Sequence, residues 1–365
     1  MSATHRVLFL YWGRKGALSR LTLEAAKAAE AMHDVVSRVS VSTSNEIYRD
    51  FERSGVKLVP VRTFESAAGT FRLDRLLAAR RQIREVIERD HIKSVVVLMS
   101  HMWTPFLAGM VRAAGATYTV VVHDADSHPG DAKAVVTDWL LRDARRASHV
   151  VTLSKHVARR LVARGIAPPD AITTLAHPTF NYQPKAMAAP AVAGFGFLFF
   201  GRIARYKGLD LFVAAAELLR QRGAKFRIGV VGEGNLEPYR ERLVALGAEI
   251  DNRWVGDDEI PSILARYDAA VLSHLEASQS GVAVAAFNCG LPVIATAVGG
   301  LMEQVRHEET GLVVKNINAS DIADAMERMM SDPELYARLK SGMSEYLADL
   351  SIPTFVRKMI SVAER

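Results

Sequence analysis

From Ala269 to Gly300 the chain alternates in a way that only a parallel sheet accommodates. A short apolar strand, Ala269–Leu272, stops at the polar turn Ser273–Gly281. An apolar helix, Val282–Asn288, follows and closes at Cys289-Gly290, where glycine can take the left-handed conformation that ends helices. Pro292 blocks continuation, and Pro-Val-Ile-Ala-Thr reads as a second buried strand ending in Gly299-Gly300. Strand, crossover helix and strand in close succession make a βαβ unit, because parallel strands cannot be joined by a tight turn.

The turn delivers Ser280, Gly281 and Val282 to a helix N-terminus, where unpaired N–H groups and the helix dipole favour a phosphate. Glu276 lies just outside that anion site, placed to accept hydrogen bonds from hydroxyls attached to the phosphate. A carboxylate beside an oxyanion site suits a sugar phosphate better than a bare nucleotide. The bland alternative is a strand–turn–helix with an ordinary Ser/Gly cap.

At 365 residues the chain exceeds a single core, so two domains are expected. Half the residues are hydrophobic and a quarter charged, as in a soluble globular protein. No run approaches the roughly 18 apolar residues a membrane span needs, and the N-terminus enters a strand at Val7 without a signal-peptide pattern. The one cysteine excludes an internal disulfide framework and a Cys-rich zinc site. A cytoplasmic protein is expected, with peripheral contact at the inner face of the membrane as an open possibility. Through Tyr182 there are 26 Lys+Arg against 17 Asp+Glu; the remainder carries 20 against 23. The basic half either meets an anionic partner, such as a membrane surface or a phosphorylated acceptor, or is simply a solvated basic surface. Nucleic acid is not expected, since basic–aromatic interleaving and nucleic-acid motifs are absent.

Along the chain, Val7–Tyr11 opens a doubly wound sheet. Trp12-Gly13-Arg14-Lys15-Gly16 follows, then a helix from about Ser19, which can cap it. This basic, glycine-bracketed loop sits where open α/β sheets bind ligands, but Gly-x-Gly-x-x-Gly is absent and no nicotinamide or flavin is expected. Val35–Ser42 and Val56–Pro60 read as strands. Phe71–Arg89 is a basic amphipathic helix, with Leu73, Leu76, Leu77, Ile83 and Ile87 at helical spacing and Arg72, Arg75, Arg80, Arg81 and Arg84 crowding the rest. It either lies on anionic lipid or turns its apolar stripe to the core. After strands Ser94–Met99 and Tyr118–Val122 come His123-Asp124 and His128-Pro129-Gly130. These are either a weak metal site or a single histidine held by Asp124. The run from His177 to Gly194 reads as a linker.

The second half repeats the logic. Strand Phe195–Phe200 leads into Gly201–Gly208, where Arg202 and Lys207 flank a glycine-bounded loop before helix Leu209–Gln221. Two cations at a helix start suit a diphosphate. Strand Ala224–Val231 ends in Gly232-Glu233-Gly234, a glycine pair that lets a flat ring approach the backbone. Leu312–Val314 reads as the last strand, and Pro353–Ala363 as a final helix that crosses back to the first lobe.

Gly201-Arg202 with Lys207-Gly208, Gly232-Glu233-Gly234, Glu276, Cys289-Gly290-Leu-Pro-Val-Ile-Ala-Thr and Gly299-Gly300-Leu-Met-Glu303 resemble the C-terminal half of family 4 retaining glycosyltransferases. Gly13–Gly16 and His123-Asp124 resemble its N-terminal half more loosely. The resemblance implies an α/β GT-B fold: two Rossmann-like, doubly wound domains facing across a cleft. It places an acceptor-side domain over 1–185, a nucleotide-sugar domain over 186–345 and a terminal helix over 346–365. It implies a hexosyltransferase-type enzyme (EC 2.4) moving a sugar from a nucleotide-diphosphate donor, with retention and without metal or cofactor, to a saccharide or lipid-linked acceptor in surface-polysaccharide or glycolipid assembly.

On the residues, the resemblance gives Arg202 and Lys207 the donor diphosphate, with the amides of Ser280, Gly281 and Val282. Glu276 holds sugar hydroxyls, His123 contacts the transferred sugar, and Gly13, Arg14 and Gly16 line phosphate and acceptor. Gly232 and Gly234 complete the donor side, and His123, Glu276, Arg202 and Lys207 are the catalytic set. The sequence departs from the family pattern: Glu276 lies one residue further from Gly290 than usual, and Ser278-Gln279-Ser280-Gly281 replaces the common Gly-Phe-Gly. The family's second glutamate, which holds the ribose, falls on Ala285; Asn288 is a candidate substitute. A nucleotide-sugar epimerase on the same fold and a non-catalytic partner subunit are the competing readings.

Overall fold

The structure, a computed structural model, describes residues 4–66, 68–126, 134–179 and 194–365. They fall into two compact units: one reaches to Ala176 and takes in Ile352–Arg365, and the other holds His177–Ser351. His128-Pro129-Gly130, the expected domain boundary at 185/186 and most of the expected linker lie outside the described residues.

The first unit is built on a seven-stranded parallel sheet: β1 (His5–Tyr11), β2 (Val35–Ser42), β3 (Leu58–Val61), β4 (Ser94–Met99), β5 (Thr117–Val122), β6 (His149–Thr152) and β7 (Ile172–Thr174). The order β3-β2-β1-β4-β5-β6-β7 reverses between β1 and β4. Alternation along β1 serves both faces: Leu8, Leu10 and Trp12 join the core under Ile83, Val86, Leu107 and Val111. Val7, Phe9 and Tyr11 are buried on the opposite face. The C-terminal helix Ile352–Ala363 belongs to this unit. Ser94 Oγ donates to the Ala363 carbonyl (3.2 Å), and Arg357 pairs with Asp34 (2.9 Å).

The second unit carries a six-stranded parallel sheet: β8 (Phe195–Phe200), β9 (Phe226–Val231), β10 (Glu249–Asp251), β11 (Ala269–Leu272), β12 (Val293–Thr296) and β13 (Gly311–Val314), in the order β10-β9-β8-β11-β12-β13. Here the reversal lies between β8 and β11. Phe197 and Phe199 enter one core with Phe212, Val213 and Met326, while Leu198 and Phe200 enter the other with Leu272, Leu264 and Phe287. A strand apolar at every position, as β8 is, is thus clad on both sides, and each fully buried Leu or Phe side chain contributes about 1.5–3 kcal/mol.

Some sequence expectations shift. Helix Ala17–Glu30 starts two residues before Ser19, with Gly16 as its N-cap, so Ser19 is buried inside the first turn instead of capping. The helix expected over Phe71–Arg89 splits into a 3₁₀ turn, Ala68–Phe71, and helix Leu73–Arg89. Its stripe also divides: Leu76, Ala79, Ile83, Val86 and Ile87 are buried, whereas Leu73 and Leu77 face solvent. Among the described residues no helix is long and apolar enough to cross a membrane.

Candidate functional site

In the second unit the expected donor residues sit on three loops at the carboxyl ends of β8, β9 and β11, around the point where strand order reverses. After β8 the chain makes a 3₁₀ turn, Arg205–Lys207, and Gly208 then adopts φ 68 to start helix Leu209–Gln221. A Cβ on Gly208 would lie 1.8 Å from the Ser273 carbonyl oxygen, so only glycine lets the turn after β8 approach the turn after β11. The turn after β9 is as close: a Cβ on Gly232 would meet the Gly201 carbonyl oxygen at 1.9 Å, and Ile203 N–H donates to the Glu233 carbonyl at 2.8 Å.

The two expected cations share an aromatic floor. Arg202 Nη2 donates to the Tyr206 hydroxyl at 2.7 Å, and its guanidinium carbon lies 5.6 Å from that ring. Lys207 Nζ is 5.2 Å from the same ring and 2.8 Å from His274 Nε2. Tyr206 and His274 are both buried, so they hold the charged ends of the two side chains and restrict where the charges can point.

The 273–282 segment is pinned residue by residue. Ser273 Oγ donates to the Gly208 carbonyl (2.8 Å), Leu275 N–H to the Tyr206 carbonyl (2.7 Å), and Thr296 Oγ1 to the His274 carbonyl (2.6 Å). Ala277 accepts from Gly300 N–H at 2.9 Å. Glu276 lies between these anchors and is exposed. Ser280 caps helix Gly281–Asn288 by accepting from Ala283 N–H. Its own N–H, expected to face a phosphate, donates instead to Gln304 Oε1 at 2.7 Å, and Gln304 Nε2 returns a bond to the Ser280 carbonyl. Of the three amides expected at an anion site, those of Gly281 and Val282 are left once Ser280 N–H is taken by Gln304. A Cβ on Gly201 would lie 3.2 Å from Val282 Cγ2, which places the Arg202 turn against that helix start. Ala285 is buried in the core, and Asn288 Nδ2 donates to its own helix at the Val284 carbonyl (3.0 Å), so the carboxamide is folded back.

In the first unit, the Gly13–Gly16 loop follows β1. Asn45 Nδ2 donates to the Gly13 carbonyl (2.8 Å) and to Ser19 Oγ (3.0 Å), and Arg14 reaches the Glu65 carbonyl. The N–H of Gly16, the N-cap of that helix, donates to Glu46 Oε1 at 2.6 Å. A protein carboxylate therefore already stands where an anion was expected. His123, after β5, is half-buried and its Nε2 donates to the Leu98 carbonyl (2.8 Å). Burial lowers its pKa; the Leu98 bond and the Asp124 charge oppose that. The expected orienting partner was Asp124, and the structure adds the Leu98 carbonyl, which fixes the tautomer. Among the described residues no group of three or more His, Cys, Asp or Glu side chains forms a cation-binding cluster.

The sequence reading missed Tyr206, His274, Gln304 and Glu46. Only Tyr206 carried a signal, as the aromatic residue beside Lys207 in a loop already singled out. Two further titratable groups, the buried Asp143 and the half-buried His101, lie by the 100–106 turn after β4. Asp143 Oδ1 accepts from the Tyr118 hydroxyl (2.7 Å), and His101 is ringed by Trp12, Phe64 and Trp103 at 4.8–5.8 Å. Burial pushes the Asp143 carboxyl up to about 6 and the His101 imidazole down to about 4.

Two family models match. Residues 194–332 fit the glycosyl transferases group 1 and residues 16–176 a glycosyl transferase 4-like domain. A 2-deoxystreptamine glucosyltransferase of Streptomyces kanamyceticus is 31% identical over 288 residues, 70% of this chain and 72% of the relative. A D-inositol 3-phosphate glycosyltransferase of Pseudarthrobacter chlorophenolicus is 30% identical over 279 residues, 69% of this chain but only 66% of the relative's length. Among solved structures, a Rickettsia africae glycosyltransferase superposes with TM-score 0.76 at 16% identity, covering 99% of this chain and 98% of that one. Anabaena HepE, in complex with UDP and glucose, gives TM-score 0.76 at 16% identity over 98% of both chains.

Proposed function

The chain belongs to the group 1 glycosyl transferases of family 4, on a two-unit α/β fold of the GT-B class, and from that premise we propose that it transfers a sugar from a nucleotide-diphosphate donor with retention and without a metal. The observation that carries this is the convergence of Arg202 and Lys207 on Tyr206 beside the helix start at Gly281–Val282. Two cations and two helix-start amides on adjoining turns can neutralise a diphosphate leaving group as its charge develops, which is the largest catalytic contribution such a site supplies. Complexes of HepE with UDP and with UDP-glucose support a nucleotide-sugar donor.

The bond between the anomeric carbon and the diphosphate oxygen breaks while a bond to the acceptor oxygen forms on the same face. The acceptor's proton passes to the departing phosphate oxygen, so no protein carboxylate need become a nucleophile. Glu276 is assigned to the hydroxyls of the transferred sugar, and His123, kept neutral by burial, to the same sugar. Gly232 and Gly234 are assigned to the donor's ring, and Gly13, Arg14 and Gly16 to the phosphate and acceptor side. The acceptor is proposed as a saccharide or lipid-linked saccharide of polysaccharide assembly, handled in the cytoplasm.

Calorimetric titration with UDP, GDP and ADP in the presence of a chelator tests this. Selective binding of one nucleotide that vanishes in Arg202→Ala supports the donor site. Absence of binding across the panel would give the lead to a non-catalytic partner subunit, the reading that Ala285 and the folded-back Asn288 favour.

A further inference from the structure

Strand order in the first unit reverses between β1 and β4, and open α/β sheets take ligands beyond the carboxyl ends of strands at such a point. In the second unit the matching point, between β8 and β11, carries the residues assigned to the donor. In the first unit it carries His101, just beyond β4 and edge-on to Trp12, which follows β1, at 5.8 Å.

The imidazole is held on its Nδ1 side. Phe64 and Trp103 lie 4.8 and 5.7 Å from its centre. The backbone beneath it is locked by one hydroxyl: His101 N–H donates to Thr104 Oγ1 (2.9 Å), which donates back to the His101 carbonyl (2.8 Å). Nδ1 accepts from Trp103 N–H at 3.3 Å, so the proton of the neutral ring sits on Nε2. Burial keeps the ring neutral by bringing its pKa down to about 4. Nε2 has no hydrogen-bond partner among the described residues, yet it is not an enclosed atom. A donor is thus fixed in place at the ligand-binding edge of the sheet with nothing in the first unit to receive its proton.

The charges nearby say what receives it. A neutral N–H gains nothing extra from an anion. The helix start after β1, which a phosphate would use, is closed: Gly16 N–H is bonded to Glu46 Oε1, and Arg14 is turned onto the Glu65 carbonyl. The exposed Glu46 carboxylate repels a phosphate and tolerates a hydroxyl.

We infer that the carboxyl edge of β1 and β4 binds an uncharged, hydroxyl-bearing ring, a saccharide or cyclitol, with His101 Nε2–H donating to one of its hydroxyl oxygens and Glu46 turning phosphorylated rings away. That ring is the end of the acceptor substrate that meets the first unit. Calling it the acceptor rests on the transferase reading; its binding needs no nucleotide.

The test is a titration of the full chain, without nucleotide, with glucose, galactose, mannose and myo-inositol, and with glucose 6-phosphate for comparison. It is followed by long-range ¹H–¹⁵N spectra of the histidine rings and by saturation-transfer NMR on the sugars. The expected result is a His101 ring protonated at Nε2 whose signals move with at least one neutral ring. His101→Phe, which keeps a ring and removes the donor, should weaken that binding about tenfold or more, and His101→Gln, whose amide can donate, should restore most of it. The wild-type ring signals keep the test decisive should His101→Phe fold poorly. Unmoved His101 signals, a proton on Nδ1, undiminished binding by His101→Phe, or a wild type that favours glucose 6-phosphate at these signals overturns the inference. Absence of nucleotide binding in a separate titration would remove the transferase reading and leave this site standing.

Discussion

Lys207 Nζ stands 2.8 Å from His274 Nε2, and because an ammonium can only donate, the buried imidazole accepts. The contact steers the cation proposed to meet the donor diphosphate. Replacing His274 with Ala frees the lysine to wander without removing its charge. The expected outcome is a donor KM raised about tenfold with a smaller change in kcat, and partial rescue by His274→Gln, whose amide oxygen can accept. Arg202→Ala, which removes a charge outright, should lower kcat/KM by about a hundredfold or more. Steady-state kinetics on the three variants separates steering from charge.

Gln304 clamps Ser280 through two hydrogen bonds, both partners being buried. Gln304→Leu leaves an N–H and a carbonyl unsatisfied, a cost of about 1–3 kcal/mol in urea unfolding. It should also weaken nucleotide binding, since Gly281 and Val282 follow directly. Normal nucleotide affinity in a destabilised variant would confine the clamp to a folding role.

Two glycines in the same site should respond in opposite ways. Gly208→Ala puts a Cβ at φ 68 and 1.8 Å from the Ser273 carbonyl oxygen. The expected loss is roughly 3 kcal/mol or more, read from the denaturation midpoint. Gly281→Ala meets no atom within 4 Å, and stability should stay within about 0.5 kcal/mol of wild type.

Asp143 and His101 give opposing pH dependences. The folded Asp143 carboxyl titrates at about 6, above its ordinary value, so its stabilising contribution is complete at low pH and is lost as pH rises through about 6. His101 is depressed to about 4, so its contribution is complete above its ordinary 6.5 and is lost as pH falls towards 4. Asp143→Asn should therefore gain stability over wild type between about pH 4 and 6 as pH rises, and His101→Gln as pH falls from about 6.5 to 4. Each gain is on the order of 2–3 kcal/mol. Denaturation series at several pH values would show two crossing difference curves; parallel ones would remove the assignment.

The legible parts of the fold were those written as local runs. β8 and its partner strands are apolar at nearly every position, and the glycines after β8 and β9 punctuate them. β7 and β10 escaped the sequence reading because Ile172–Thr174 and Glu249–Asp251 are short, half-polar edge strands with no apolar run. Leu73 and Leu77 were grouped with the packing stripe because helical spacing gives a period without saying which residues meet the core. In the site, Arg202, Lys207 and Glu276 were visible from their places after strands. Gln304 and Glu46 were not, since they act 24 and 30 residues away in sequence, and no local pattern announces a side chain that closes a loop at such a distance.

The Ile352–Ala363 helix, which buries Phe355, Val356, Met359 and Ile360 in the first unit, is translated only after the whole of His177–Ser351. The first unit thus emerges early from the ribosome yet waits for its final covering helix until the second has been made. Its nascent form carries an apolar face with no intramolecular cover, a window for chaperones or misassembly. A stop codon at position 352 would therefore leave its damage in the half of the molecule furthest from it in sequence, while the adjoining unit, His177–Ser351, retains all its own strands.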